Sequence, residues 1–268
     1  MENTPVTGVS DTARSMAAVR AVESERADAL FVDPFAAQLA GADAVAAARS
    51  VVAQYDRAGR PYGQVRTRFL DDFILKHRDN YTQLVLLGSG LDSRAFRLEL
   101  PPTLVCYELD QRVMIDYKVQ VLAEAVPTCC WRPRSADLGE SCWGEILQKA
   151  GFQPEQPTIW VLEGFLYYLL PEQARDLMRV LNTLSAIGSV LGCDLINEAV
   201  CNGPEAWATL WHFGCDDPEA FLAEYGWVAR SVQPNDPEAA YDRFTFPLAP
   251  RDQPDAVHLF FTTALKTA

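Results

Sequence analysis

The sequence predicts an α/β protein with a doubly wound, seven-stranded, mostly parallel sheet whose last strand is antiparallel. Three observations support this fold. Short apolar runs alternate with stretches of helical periodicity along most of the chain. Several of these runs end in a carboxylate, and parallel strands bring such residues together at one edge of a sheet. No helical stretch separates the last two runs, which predicts an antiparallel final strand.

A helical cap is predicted over residues 1–80, ahead of the first strand. Asp11 and Thr12 can cap a first helix, and alanine-rich sequence extends it to Leu30. The pair Asp33-Pro34 interrupts it, and a second helical stretch runs to about residue 48. The cap therefore begins with two helices.

A further helix is predicted from Tyr62 to His77. Its apolar side chains share one face, which leaves Arg66 and Arg68 free to point elsewhere. From the pattern alone, these arginines could be ordinary surface charges.

The core, predicted over residues 81–196, is organised around the run Leu84-Val85-Leu86-Leu87. Four consecutive apolar residues indicate a strand that is buried on both faces. Gly88 and Gly90 then remove side chains where the backbone must turn sharply and approach a ligand. This signal is weak alone, because Gly-x-Gly follows apolar runs in many loops.

The other strands and helices follow the same alternation. Strands are predicted at residues 104–107, 129–131, 159–162, 190–196, 228–232 and 258–265, and helices at 111–125, 171–186 and 218–225. The strand-end carboxylates that should gather at one edge are Asp92, Asp110, Asp137 and Glu163.

Residues 197–268 are predicted to carry a substrate lid and the closing strands, within one domain that spans the chain. The stretch from Cys201 to Asp217 is rich in aromatics: Trp207, Trp211 and Phe213. It could cover the site, or it could be a helix that packs one face against the core. The pattern leaves both possibilities open.

Composition narrows the class of ligand. A hydrophobic content of 49% and a charged content of 22% are typical of a globular protein. The formal net charge of −13 disfavours nucleic acid and anionic membranes, since phosphate contacts require clustered cations. The seven cysteines lack regular spacing, and the three histidines are widely separated, so we expect reduced thiols, a cytoplasmic protein and no metal site. A small molecule is the expected partner.

Several motifs, taken in order, resemble the leucine carboxyl methyltransferase-like family of S-adenosylmethionine-dependent methyltransferases, including its bacterial branch. The family fold is the Rossmann-like class I methyltransferase fold. The matching motifs are Ser10-Asp11-Thr12-Ala13, Arg20-Ala21-x-Glu23-Ser24, Phe31-x-Asp33-Pro34-Phe35-Ala36, Arg66-Thr67-Arg68-Phe69-x-Asp71-Asp72, Leu87-Gly88-Ser89-Gly90-Leu91-Asp92-Ser93-Arg94, Tyr107-Glu108-Leu109-Asp110, Ala136-Asp137-Leu138 and Glu163-Gly164-x-x-x-Tyr168-Leu169.

The resemblance implies how the cofactor, S-adenosylmethionine, would be bound. Arg66 matches the arginine that holds the carboxylate of its methionine part, which an acidic chain could not hold without a dedicated cation. The glycine turn Gly88-Ser89-Gly90, with Asp92, matches the residues beneath the methionine part. Asp110 matches the acid that accepts from the ribose hydroxyls, with Glu108 as an alternative that the register disfavours.

The resemblance also assigns the adenine pocket and the reacting end. Asp137 would accept from the adenine amino group, and Leu138 would cover the ring. Glu163 and Tyr168 would meet the methyl group and the acceptor, as the catalytic pair. Without the family, Glu163 could be a helix cap and Tyr168 a core aromatic.

One position departs from the family. Its protein-modifying eukaryotic members carry a lysine in the first helix near the cofactor carboxylate, and the matching stretch Arg14-Ser15-Met16-Ala17 has none. Arg14 or Arg20 could take its place.

The sequence therefore predicts O-methylation of a carboxylate or phenol on a small molecule of the secondary-metabolite kind. One alternative is methylation of a protein's C-terminal carboxylate, and another is cofactor binding without catalysis. A nicotinamide-dependent oxidoreductase shares the strand, turn and acid arrangement, but Ser93 replaces the third glycine of its motif.

Overall fold

The sheet has seven strands, in the order β3-β2-β1-β4-β5-β7-β6. The structure is a computed structural model that describes residues 9–203, 209–253 and 255–268. The first five strands are parallel, and β7 lies antiparallel between β5 and β6. The strands are Gln83–Leu87 (β1), Val105–Asp110 (β2), Cys130–Ser135 (β3), Ile159–Leu162 (β4), Val190–Ile196 (β5), Trp227–Val232 (β6) and Leu259–Lys266 (β7). The predicted fold class is confirmed.

Helices cover both faces of this sheet. They are Val9–Ser24 (α1), Ala36–Ala40 (α2), Ala42–Arg57 (α3), Tyr62–His77 (α4), Arg94–Arg97 (α5), Arg112–Val121 (α6), Trp143–Lys149 (α7), Pro171–Thr183 (α8), Glu198–Cys201 (α9), Pro218–Ala223 (α10) and Pro237–Ala240 (α11), with a 3₁₀ turn at Leu166–Tyr168. The helix Trp143–Lys149 was not predicted from the sequence.

Alternate residues of β1 enter two different cores, as a doubly wound sheet requires. Val85 and Leu87 pack in one core with Trp143 and the leucines of α7 and α8. Leu84 and Leu86 pack with the N-terminal helices α1 to α4 and with α6. The whole strand is buried, which explains its unbroken apolar run.

The first helix is shorter than the sequence predicts. It ends at Ser24 rather than Leu30, because side chains satisfy the backbone of the following loop. The Ser24 hydroxyl accepts from the N–H of Asp33, and the buried Glu23 carboxylate accepts from the N–H of Leu30 at 2.8 Å. These contacts stabilise a loop between Ser24 and Asp33, where the alanine content of the sequence predicted a continuing helix.

Two other details differ from the prediction. The second helical stretch is two helices, split at Gly41, whose φ of +84° interrupts the helix. The short helix α11 lies between β6 and β7, where the sequence predicted none. The predicted antiparallel insertion of the last strand is confirmed.

Candidate active site

A cleft of about 670 Å³ lies at the carboxyl edge of the parallel strands. Its walls come from α1, the end of α3 and the first turns of α4, and from the residues that follow β1, β2, β3 and β4. Every site residue predicted from the sequence lines it: Arg66, Gly88, Ser89, Gly90, Asp92, Asp110, Asp137, Leu138, Glu163 and Tyr168. A volume in this range can hold a cofactor together with a small acceptor.

The turn after β1 is fixed by backbone and carboxylate contacts to β2. The N–H of Gly88 donates to the carbonyl of Leu109 at 2.9 Å, and that of Gly90 donates to Asp110 Oδ2 at 2.6 Å. Both glycines have positive φ, +66° and +47°. A Cβ on Gly88 would lie 2.4 Å from Phe165 Cδ2, so no larger residue fits there without displacing that ring.

The structure places Asp110, and not Glu108, in the cleft. Glu108 lies two residues earlier on β2, outside the cleft lining, and is fully buried, with its Oε2 accepting from Lys118 Nζ at 2.6 Å. Burial raises the pKa of Asp110, and the N–H donors of Gly90 and Gln111 oppose that rise. Ser89, the middle residue of the turn, accepts from Lys118 at 3.2 Å.

The residues after β3 form another part of the wall. Asp137 is exposed, and its Oδ1 accepts from the N–H of Gly139 at 2.9 Å. Leu138 is buried beside it and joins the core of α7 and α8. An exposed carboxylate next to a buried apolar side chain can bind the polar edge and the face of an aromatic ring.

Arg66 is committed to two carboxylates rather than left free in the cleft. Its Nε donates to Glu163 Oε1 at 3.1 Å, and its Nη1 donates to Asp194 Oδ2 at 2.9 Å. Asp194 is fully buried in β5 and also accepts from the hydroxyl of Tyr62 at 3.0 Å. The third nitrogen of Arg66, Nη2, makes no hydrogen bond within the described residues, so it is available to a ligand.

Arg94 organises the other half of the charge network. It is 2% exposed, and it contacts the carboxylates of Asp71, Asp92 and Glu163, the last at 2.6 Å. Burial alone would raise the pKa of Glu163, but Arg94 and Arg66 hold it below its usual range. Glu163 is therefore an ionised link between two arginines and a poor proton acceptor at neutral pH.

The same network makes Asp92 a source of acid sensitivity. Burial opposes its ionisation, but Arg94 and nearby cations lower its pKa from 3.8 to about 2. Because the folded pKa is the lower one, the stabilisation of the folded state is complete above about pH 4 and is lost as the pH falls towards 2.

Between pH 4 and pH 2, wild type should lose about 2 kcal/mol more unfolding free energy than Asp92→Asn does. Urea unfolding at several pH values measures this difference, and Asp176→Asn, at an exposed carboxylate, should behave as wild type.

Two tyrosines follow β4, and the sequence singled out only one of them. Tyr168 lines the cleft and packs on Tyr167, with ring centroids 5.0 Å apart. Tyr167 is buried, and its hydroxyl accepts from Arg66 Nη1 at 3.0 Å. Trp211 packs edge-on against Tyr167 at 5.3 Å and also lines the cleft. The two tyrosines thus connect the charge network to the aromatic segment.

The aromatic segment is partly cleft wall and partly core. Trp211 is half-buried in the wall, whereas Phe213 is 5% exposed and packs on Phe221 within the main core. Trp207 lies outside the described residues. Neither residue lies in a helix, so Phe213 is a core residue without the predicted helix, and a lid role for Trp211 stays a prediction.

Neither Arg14 nor Arg20 is a free cation in the cleft that could replace the family's lysine. Arg20 lines the cleft, but its guanidinium donates to Asp33 and to the carbonyl of Leu91, so it ties α1 to the glycine turn. Arg14 does not line the cleft, and it lies over the ring of Tyr117 at 5.4 Å.

Sequence reasoning missed Asp194, Tyr167 and the central place of Arg94. A signal for Asp194 was present, since a carboxylate inside a buried apolar strand requires partners. Within the described ranges, no group of histidine, cysteine and acidic residues could hold a metal ion. In the same ranges, no helix is long and apolar enough to cross a membrane.

Comparison with known proteins identifies relatives over most of the chain. Residues 13–182 match the family model for leucine carboxyl methyltransferase. Two relatives named S-adenosyl-L-methionine-dependent methyltransferases are 36% identical over 259 residues in Streptomyces avermitilis and 34% identical over 278 residues in Frankia alni. These alignments cover 90% and 97% of this chain and 91% and 96% of the relatives.

Solved structures resemble the fold at lower identity. A DUF574 family protein from Streptomyces avermitilis superposes with a TM-score of 0.62 at 14% identity, over 93% of this chain and 96% of that one. A protein from Thermobifida fusca, described as a methyltransferase, gives a TM-score of 0.59 at 16% identity, over 94% of both chains. These likenesses concern the fold alone.

Proposed function

The chain belongs to the leucine carboxyl methyltransferase family of S-adenosylmethionine-dependent methyltransferases, and we propose that it methylates an oxygen of a small molecule, a carboxylate in preference to a phenol. The observation that supports this proposal is the cleft itself. Residues that match the family's cofactor site lie at one end of it, an apolar chamber lies at the other, and no histidine lines its described part to act as a base at neutral pH. S-adenosylmethionine, when bound, supplies an electrophilic methyl group.

The residues at the strand ends fit that cofactor. The glycine turn exposes backbone beside a carboxylate, and Asp110 retains acceptor capacity beyond its two N–H bonds, as vicinal hydroxyls require. Arg66 Nη2, which makes no hydrogen bond within the described residues, can donate to a carboxylate, and Asp137 with Leu138 suits an adenine ring. Within the described residues, the five arginines that line the cleft are outnumbered by seven carboxylates that line it or pair with them, and this excess of two negative charges suits a ligand of net positive charge. The carboxylates are Asp33, Asp71, Asp92, Asp110, Asp137, Glu163 and Asp194.

Asp110→Ala should weaken binding of S-adenosylhomocysteine by about 1–3 kcal/mol, because the ribose hydroxyls lose a charged acceptor. Calorimetric titration measures the change. Asp116→Ala, at an exposed carboxylate of α6, is the matched control and should bind as wild type does. Unchanged affinity in the Asp110 variant would remove this residue from the site.

The acceptor half of the cleft is mainly apolar. It lies between the end of α3 and the segments that follow β5 and precede β7, and its side chains include Val52, Ile196, Phe244, Leu248 and Leu259. Such a chamber favours a flat or aliphatic body over a polar peptide tail. This composition supports a small-molecule acceptor over a protein terminus.

The choice between carboxylate and phenol depends on proton transfer. A carboxylate nucleophile is already ionised, whereas a phenol or alcohol must lose a proton to a nearby base. None of the three histidines lines the described part of the cleft. Glu163 and Asp92 both have lowered pKa values because of their arginine partners, so neither is a good base. The site residues then act by holding the nucleophile in line at about 3 Å.

Trp211→Ala should raise the KM for the acceptor several-fold while cofactor affinity changes little, because Trp211 lines the cleft but is not among the strand-end residues that match the cofactor. Steady-state kinetics with an acceptor identified by the search below measures the KM, and calorimetry measures the affinity for S-adenosylhomocysteine. Phe213→Ala is the contrasting variant, since that ring belongs to the core and its loss should lower stability. Loss of cofactor binding in step with stability would make Trp211 a core residue too.

An acceptor search tests the proposal and its rivals together. The protein is incubated with methyl-labelled S-adenosylmethionine and a small-molecule extract, and in parallel with peptides that end in a free carboxylate. We expect label in a small acidic molecule, detected by mass spectrometry. Better labelling of the peptides would favour the protein-terminus alternative. Thermal stabilisation by NAD but not by S-adenosylhomocysteine would favour the oxidoreductase.

A further inference from the structure

Arg60, an exposed residue of the cleft wall, has no carboxylate partner among the residues that the structure describes. The cleft is lined by five arginines, and four of them pair with carboxylates within the described residues: Arg20, Arg66, Arg94 and Arg97. Arg60 forms no ion pair or side-chain hydrogen bond there, and its guanidinium lies over the ring of Phe246 at 4.4 Å. In a chain of net charge −13, an unpaired cation in a ligand cleft is a specific attraction for anions.

The turn that carries Arg60 is held in place by the segment before β7. The carbonyl of Gly59 accepts two hydrogen bonds at 2.9 Å, from the N–H groups of Thr245 and Phe246. Gly59 has a φ of +67°, and a Cβ there would lie 2.3 Å from the Thr245 hydroxyl. The stacking on Phe246 then restrains the arginine side chain. Arg60 is therefore a positioned donor rather than a freely moving surface charge.

Exposed apolar side chains line the same cleft as Arg60. Val51, Tyr55 and Val257 line the cleft and are 47%, 45% and 46% exposed. Exposed apolar groups next to an unpaired cation fit a ligand that has both an apolar body and an acid group. The charge network of Arg66 and Glu163 lies deeper, at the ends of the strands.

We propose that Arg60 binds an anionic group of the acceptor, remote from the oxygen that is methylated. The acceptor class is then an amphipathic acid with a second oxygen function, such as a dicarboxylic acid or a hydroxy acid, whose apolar body lies along the chamber. This inference rests on the proposed function, since it names the substrate class of the same cleft. It makes Arg60 a specificity-determining residue.

A matched pair of fluorescent dyes tests the proposal without catalysis. 8-Anilinonaphthalene-1-sulfonate and N-phenyl-1-naphthylamine share one aromatic body, and only the first carries an anionic group. Both are titrated into wild type and Arg60→Gln, with saturating S-adenosylhomocysteine to fill the cofactor half. Arg57→Gln removes the same charge from an exposed residue of α3 that does not line the cleft.

We expect Arg60→Gln to weaken sulfonate dye binding about fivefold, as for a single partly exposed ion pair, and to leave the neutral dye unchanged. The Arg57 variant should match wild type for both dyes. The wild-type preference for the sulfonate should also shrink as salt is added. The proposal is overturned if Arg60→Gln binds the sulfonate dye as wild type does, or if it loses both dyes equally. Failure of the methylation proposal would instead appear as the absence of any labelled product.

Discussion

Replacing Arg94 by methionine should lower the free energy of unfolding by about 3–5 kcal/mol, the cost of removing one partner from a buried ion network. Arg94 is 2% exposed and contacts three carboxylates. Methionine fills a similar volume but leaves Asp92 without the cation that holds its pKa low. Asp71 keeps Arg97, and Glu163 keeps Arg66, so the loss should be largest around Asp92.

Urea unfolding of Arg94→Met beside Arg112→Met measures this effect. Arg112 is an exposed arginine, paired with Asp116 on the surface of α6, and its loss should cost no more than about 1 kcal/mol. Equal stability of the two variants would show that the buried network adds nothing beyond a surface pair.

Replacing Arg66 by leucine should weaken S-adenosylhomocysteine about 10–100-fold, the value of a hydrogen bond to a charged group. Adenosine, which lacks the amino acid part, should lose much less. The reason is that Nη2 of Arg66 is the unused donor at the strand ends, while its other contacts hold Glu163 and Asp194. The variant should also be less stable, because Asp194 remains fully buried without a cation.

The ratio of the affinities for S-adenosylhomocysteine and adenosine separates a role of Arg66 in cofactor binding from a role in stability alone. Arg68→Leu is the control on the same helix, since Arg68 pairs with Asp72 and does not line the cleft. It should leave both affinities at wild-type values. If Arg66→Leu weakens S-adenosylhomocysteine and adenosine by the same factor, Arg66 has a structural role only.

Most of the sheet could be predicted because strong local signals agree with the global fold. The strands β4 and β5 and the helix α4 have the predicted bounds, since their apolar residues follow the spacing of the element that forms. The loop after Ser24 could not be predicted. Its backbone is satisfied by the side chains of Ser24 and Glu23, and such long contacts leave no trace in local periodicity.

The candidate site was predictable as a set of residues but not as a network. Strand ends place Asp92, Asp110, Asp137 and Glu163 at one edge, and the fold alone requires this. That Glu163 is held by two arginines depends on α4 and α5 meeting over β4, which no spacing in the sequence reveals. For the same reason, the sequence of β5 shows a carboxylate, Asp194, inside an apolar strand but does not show that Arg66 is its partner.

The stability of the product to alkali tests the central claim most directly. The protein is incubated with S-adenosylmethionine labelled in the methyl group and with a small-molecule extract, and the product is then treated with mild alkali. A methyl ester hydrolyses and releases labelled methanol, whereas a methyl ether of a phenol does not. The account predicts that most of the label in the small-molecule fraction is released as methanol. Label that stays on the small molecule after alkali, or that is found only in protein, would contradict it.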